Sequence, residues 1–133
     1  MHTKPVLTVE ETTRILEAAR AEAERNKWPV AIAVVDDGGH LLGLLRLDGS
    51  APISSETATA KARTSAVGRR ESRLYEEMIN NGRTAFLSAP LVATLEGGIP
   101  VIVGEQVVGA VGVSGVKPGE DAQVARAGVQ AVV

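Results

Sequence analysis

The side chain best suited to chemistry in this chain stands in a predicted turn. His40 follows Gly38-Gly39 and precedes a strongly apolar segment. An imidazole held out from a turn can move a proton or ligate haem iron, so His40 is a candidate catalytic, ligand-binding and metal-ligating residue. The alternative is a hydrogen-bonded turn histidine that begins a strand. His2 lies in the N-terminal tail, and the sequence lacks the three or four spaced ligands of a protein-only zinc site.

Three aspartates flank the same two predicted strands. Two carboxylates on one sheet edge can perform acid–base chemistry when they are buried. We expect Asp37 to form the turn through hydrogen bonds from its side chain to the backbone, which leaves Asp36 as the candidate catalytic carboxylate. Asp48 precedes Gly49 and has two interpretations, a cap for backbone donors before the next helix or a ligand-binding residue.

Two cations are candidates for binding a carboxylate. Arg46 ends a predicted strand and Lys61 projects from the following helix. If these elements pack together, the two side chains can hold a small carboxylate or a haem propionate. The start of a helix also favours anions. The alternative is a pair of solvated cations that cap neighbouring carbonyl groups.

Hydrophobic patterns predict the elements that carry these residues. Thr8 and Glu11 form a capping box for a helix that ends near Lys27. Residues 30–35 alternate larger and smaller apolar side chains, which predicts a central strand covered on both faces, with a helix on the small face. A turn at 37–39 joins it to a strand at 41–47, and a helix then begins near Pro52 with alanines at every fourth position.

The second half of the chain repeats this plan. We predict a helix that includes residues 74–79 and ends at Asn81-Gly82, a long loop over 83–98, a hairpin with strands at 99–103 and 107–113, and a final helix over 118–133. The whole is an α+β fold with an antiparallel sheet of about four or five strands flanked by helices.

Composition limits the classes of partner. The 133 residues are 44% hydrophobic, carry a net charge of −2 and include no cysteine, so we expect one domain spanning 1–133 with an aliphatic core. Few aromatic residues and no charge excess argue against nucleic acid, and no apolar run suits a membrane span. The N-terminal segment lacks the apolar core of a signal peptide, which predicts a soluble, cytoplasmic protein.

Glycine patterns do not indicate a nucleotide site. Gly109, Gly112 and Gly115 fall in or after a strand, whereas a dinucleotide fingerprint requires a strand-to-helix turn. Within a strand, glycine more often permits a bulge or a close neighbour. No Gly-x-Ser-x-Gly elbow is present, which argues against a hydrolase triad at Ser114.

The motifs in this order resemble the GlcG/HbpS family, haem-degrading-domain-like proteins that include the C-terminal domain of PduO-type cobalamin adenosyltransferases. The resemblance covers about residues 8–128 and implies a profilin-like fold. Leu47 stands where methionine is common, and Val116-Lys117-Pro118 replaces a run rich in glycine, threonine and serine. The motifs that carry the resemblance are Val34–Leu42 with Arg46-Leu47-Asp48-Gly49, Ala58-Thr59-Ala60-Lys61-Ala62-Arg63-Thr64, Gly109 to Gly115, and Asp121 with Ala125 and Gly128.

The resemblance implies a tetrapyrrole-binding protein, mainly for haem, with haem-degrading or redox-sensing activity as an extension. His40 would then be the axial ligand. One alternative is an accessory enzyme or binder for a small carboxylate of a catabolic pathway, with Arg46 and Lys61 as the carboxylate ligands and Asp36 or His40 as the proton-transfer group. Another is a structural oligomer without a small ligand. Apolar strands, alanine-striped helices and strand glycines also predict a homo-oligomer.

Overall fold

A four-stranded antiparallel sheet carries the helices of this protein. The computed structural model describes residues 1–91 and 93–133. The sheet order β2-β1-β4-β3 places β1 and β4 at the centre, and every neighbouring pair is antiparallel. The described elements are α1 (Val9–Arg25), β1 (Ala31–Asp36), β2 (Leu41–Arg46), α2 (Ile53–Gly68), α3 (Arg73–Asn80), a short 3-10 helix (Thr84–Ser88), β3 (Gly98–Val103), β4 (Gln106–Ser114) and α4 (Pro118–Gln130). The predicted α+β class and both hairpins are confirmed.

The two faces of β1 pack against different helices, as its alternating residues predict. The larger side chains Val30, Ile32 and Val34 join the main core together with α1 and α4. The smaller face, Ala31 and Ala33 with Val35, meets the alanine stripe of α2 at residues 58, 62 and 66. Small side chains on both surfaces let the helix lie close to the sheet.

Gly112 of β4 marks the closest approach of α2 to the sheet. A Cβ atom at this position would overlap the carbonyl oxygen of Ala58 and lie 2.5 Å from the amide nitrogen of Ala62. Gly112 therefore serves helix packing, which confirms the close-neighbour interpretation for this glycine.

Element ends differ slightly from the prediction. The capping box of Thr8 and Glu11 is present and α1 ends at Arg25, while α4 ends at Gln130 instead of Val133. The predicted loop over 83–98 contains a 3-10 helix and ends where β3 begins at Gly98. Val92 in that loop lies outside the described residues.

Candidate functional site

Asp36 forms the turn of the first hairpin. Its Oδ1 atom accepts hydrogen bonds from the amide nitrogens of Gly38 and His40, both at 2.9 Å. The backbone of Asp36 also donates to the carbonyl oxygen of His40 at 2.8 Å. The prediction that Asp37 forms the turn through its side chain is therefore wrong. The carboxylate of Asp36, and not that of Asp37, accepts the hydrogen bonds from the turn amides. The candidate catalytic carboxylate serves as a turn acceptor.

Asp37 instead joins the hairpin tip to two other segments. Its Oδ2 atom lies 3.0 Å from Nζ of Lys4 and 4.0 Å from the guanidinium of Arg69. Arg69 also donates to the carbonyl oxygens of Asp37 and Ala66, at 2.5 and 3.1 Å. The hydrogen bond from Lys4 lowers the pKa of Asp37 below its ordinary value, against the opposing effect of partial burial. The N-terminal tail, the turn and the end of α2 are thus held together.

His40 is exposed, and its imidazole lies over Gly38 of the turn, with Cδ2 and Nε2 3.2 and 3.4 Å from where a Cβ atom of Gly38 would stand. The neighbouring Gly39 packs against Val67 and Arg63 of α2. Leu41 and Leu44 pair with Val35 and Ala33 across the strands, so their side chains point to the same face of the sheet as α2. Both leucines and Val67 are between 42% and 50% exposed. We call the set His40, Leu41, Leu44, Arg63 and Val67 the His40 surface.

Two cavities meet at Arg63. One of about 370 Å³ is lined by Arg63, Thr64, Val67, Pro90 and Leu91, and one of about 290 Å³ includes Leu44, Thr59 and Arg63. Arg63 was not among the candidate residues predicted from the sequence. Its spacing of four residues from both Thr59 and Val67 would have placed all three on one outward helix face.

Lys61 is buried in an ion pair with Asp121. Its Nζ atom lies 2.9 Å from Oδ2 of Asp121 and 3.0 Å from the carbonyl oxygen of Val113. The other carboxylate oxygen accepts from the amide of Val116 at 3.0 Å, and the side chains are 5% and 3% exposed. Burial raises the pKa of Asp121 above its ordinary value, although the charge of Lys61 acts in the opposite direction. The predicted cation pair of Lys61 with Arg46 is therefore not formed.

Arg46 and Asp48 lie at the opposite end of the hairpin from His40. Arg46 pairs with Ala31 at the start of β1, whereas the turn lies beyond Val35. Six strand residues at about 3.3 Å each separate the two ends by about 20 Å. Asp36 and Asp48 lie at opposite ends of the hairpin for the same reason, so these two carboxylates do not share one site.

A cavity of about 490 Å³ lies at this far end, between the end of α1 and the end of β2. We call it the Trp28 cavity. Its lining residues are Arg20, Glu24, Lys27, Trp28, Pro29, Leu45, Arg46, Leu47 and Asp48. The candidate residues of the sequence analysis therefore occupy three places: the His40 surface with its turn, the buried ion pair, and the Trp28 cavity.

Comparison with known proteins assigns the chain to a family. The family model described as "Haem degrading protein HbpS-like" matches residues 7–130. The chain belongs to the HbpS-like family. Protein GlcG of Escherichia coli strain K12 is 56% identical over 114 residues, which cover 86% of this chain and 85% of GlcG.

Solved structures agree with this assignment. A crystal structure of a double mutant of HbpS from Streptomyces reticuli is 32% identical, covers 100% of this chain and 91% of its own, and superposes with a TM-score of 0.89. The structure of a PduOC–haem complex has a TM-score of 0.86 at 22% identity, with 96% of each chain covered, and so supports the fold alone. No helix among the described residues of this HbpS-like chain combines the length and apolar character that a membrane crossing requires.

Proposed function

We propose that this HbpS-like protein binds haem at the His40 surface, with His40 as the axial ligand. The observation that carries the proposal is an exposed imidazole on a hydrogen-bonded turn whose Gly39 lies against Val67 and Arg63 of α2. The haem-degrading description of the family supports the same ligand class.

The residues present suit haem in three respects. The imidazole of His40 has no hydrogen bond within residues 1–91 and 93–133 and can supply a nitrogen to iron. Leu41, Leu44 and Val67 offer apolar contacts for a porphyrin face, and Arg63 between its two cavities offers a cation for a propionate. Bound haem would supply an iron centre, and His40 would hold it.

We assign binding to this surface and no turnover. Asp36, the candidate proton-transfer group, accepts two backbone hydrogen bonds in the turn, and His40 would be occupied by iron.

Self-association also stays a prediction. The edge strand β2 exposes Leu41, Leu42 and Leu44, and light scattering over a dilution series would measure the mass of the particle.

Titration with hemin tests the haem proposal. We expect a saturable Soret shift that His40→Ala abolishes and that His2→Ala, the matched histidine control, leaves unchanged. Loss of one charge-assisted hydrogen bond in Arg63→Met should weaken binding by about tenfold or more, as 1.5–3 kcal/mol implies. A His40→Ala protein with the spectrum and affinity of the parent would refute His40 as the ligand.

A further inference from the structure

The Trp28 cavity has a composition that suits one class of small molecule. It combines three cations, two carboxylates and the apolar residues Trp28, Pro29, Leu45 and Leu47 in a space of about 490 Å³. We infer that this cavity binds a small planar carboxylate, an aromatic carboxylic acid with one negative charge. This site and ligand are separate from the haem proposal.

The charges of the lining leave one cation in excess. Arg20 uses its Nε atom on Glu24 at 2.6 Å and also lies near Asp48. Within the described part of the chain, neither Arg46 nor Lys27 has an ion pair or a side-chain hydrogen bond. Three positive and two negative side chains therefore favour a ligand with one negative charge. The guanidinium of Arg46 can donate two parallel hydrogen bonds to a carboxylate.

Lys27 is held in a backbone conformation that lysine rarely adopts. Its φ of 59° lies in the left-handed region, just after the end of α1, where glycine or asparagine is usual. Arg69 has the same φ, but its guanidinium gains hydrogen bonds to Ala66 and Asp37 in return. At Lys27 the backbone closes the helix, since its amide donates to the carbonyl of Glu24 at 3.1 Å and the amide of Trp28 donates to that of Ala23 at 2.9 Å. The ammonium group of Lys27 has no partner among the described residues, and a bound anion would provide one.

The apolar side of the cavity selects a flat ligand. Trp28 is half-buried and stands beside Pro29, with Leu45 and Leu47 on the hairpin side. An indole ring prefers offset or edge contacts with another aromatic ring. The lining contains no histidine, cysteine, methionine or tyrosine, and it therefore lacks the usual ligands of haem iron. The ligand is a metal-free carboxylate.

Fluorescence provides a direct test because Trp28 is the single tryptophan of the chain. The probe is para-nitrobenzoate, whose nitroaromatic ring quenches indole emission, and para-nitrobenzamide is its neutral isostere. We expect saturable quenching by the carboxylate and only linear, collisional quenching by the amide. Arg46→Met should weaken carboxylate binding by about ten- to hundredfold. Arg25→Met, an exposed arginine at the end of α1 outside this lining, should leave it unchanged.

Lys27→Gly separates a ligand role from a structural one. Glycine suits the left-handed backbone, so this variant should keep or raise the thermal midpoint while it binds the probe at least several-fold more weakly. Equal quenching by carboxylate and amide in the parent would overturn the inference, as would parental affinity in both Arg46→Met and Lys27→Gly. Probe binding that is lost in His40→Ala would place the carboxylate at the His40 surface instead. Normal hemin binding by Arg46→Met, with normal probe binding by His40→Ala, would establish two independent sites.

Discussion

Replacing Lys61 by methionine should be among the most destabilising single changes available in this protein. At 2.9 Å between Nζ and Oδ2 of Asp121, and an effective dielectric constant of about 20, Coulomb's law gives an attraction of about 6 kcal/mol. Desolvation of the two buried ions offsets much of that energy. Lys61→Met, however, leaves the carboxylate of Asp121 buried without its cation, a change that typically costs about 3–5 kcal/mol. A domain with a total stability of about 5–15 kcal/mol would lose a large part of it.

Urea unfolding followed by circular dichroism measures this loss. Arg73→Met breaks an exposed ion pair with Glu77 at 2.9 Å and is the matched control, for which we expect less than about 1 kcal/mol. In a cycle with Asp121→Asn, the double variant should be more stable than the sum of the two single losses predicts, by about 1–3 kcal/mol. Strict additivity, or a Lys61→Met protein as stable as the control, would refute the coupling. A stable Lys61→Met protein that fails to bind hemin would restore Lys61 as a ligand-binding residue.

The effect of Lys61→Met should also depend on pH. Burial already raises the pKa of Asp121 above its usual value of 3.8, and removal of Lys61 raises it further. A carboxyl group with a raised pKa holds a proton in the folded state that the unfolded state has released. Lowering the pH from neutral towards 3.8 therefore favours the folded variant relative to the parent. The destabilisation by Lys61→Met should shrink in acid, and a loss that is constant with pH would contradict this account.

Two further predictions concern packing and the hairpin tip. Gly112→Ala should destabilise the fold by at least about 3 kcal/mol because its methyl group would overlap α2, while Gly119→Ala, where a Cβ atom meets nothing within 4 Å, should stay within about 0.5 kcal/mol of the parent in urea unfolding. The pKa of Asp37 is lowered by Lys4, so its stabilising contribution is present above the ordinary pKa of 3.8 and is lost as pH falls through the lowered value. Asp37→Asn should thus lower the thermal midpoint slightly at neutral pH and match the parent in strong acid; a difference that grows in acid would contradict this.

The layers of the fold follow from local patterns, which is why the sequence predicts them. Alternation at residues 30–35 specifies which face of β1 is small, and the stripe Ala58, Ala62 and Ala66 specifies which helix can cover it. Each pattern has a period that only one element satisfies. Element ends are less certain because the final turn of a helix depends on tertiary contacts, as at the end of α4.

The buried ion pair could not be derived in the same way. Lys61 and Asp121 are 60 residues apart, and nothing local to either residue indicates its partner. Lys61 is three residues after Ala58 and lies on the buried face of α2. Its buried ammonium group requires a carboxylate within hydrogen-bond distance. The partner of Asp37 was equally hidden from local patterns, because Lys4 is 33 residues away in the sequence.

The first hairpin explains why residues close in sequence need not share a site. His40 and Arg46 bracket β2, and an extended strand places its two ends about 20 Å apart. The turn at His40 and the Trp28 cavity are therefore separate sites, although His40 and Arg46 are only six positions apart in the sequence. Substitutions at sites farther apart than about 10 Å, with no shared partner, usually act additively. His40→Ala and Arg46→Met should therefore affect hemin and carboxylate binding independently when they are combined, and a ligand that responds to both would have to bridge the two ends or bind between two copies of the chain.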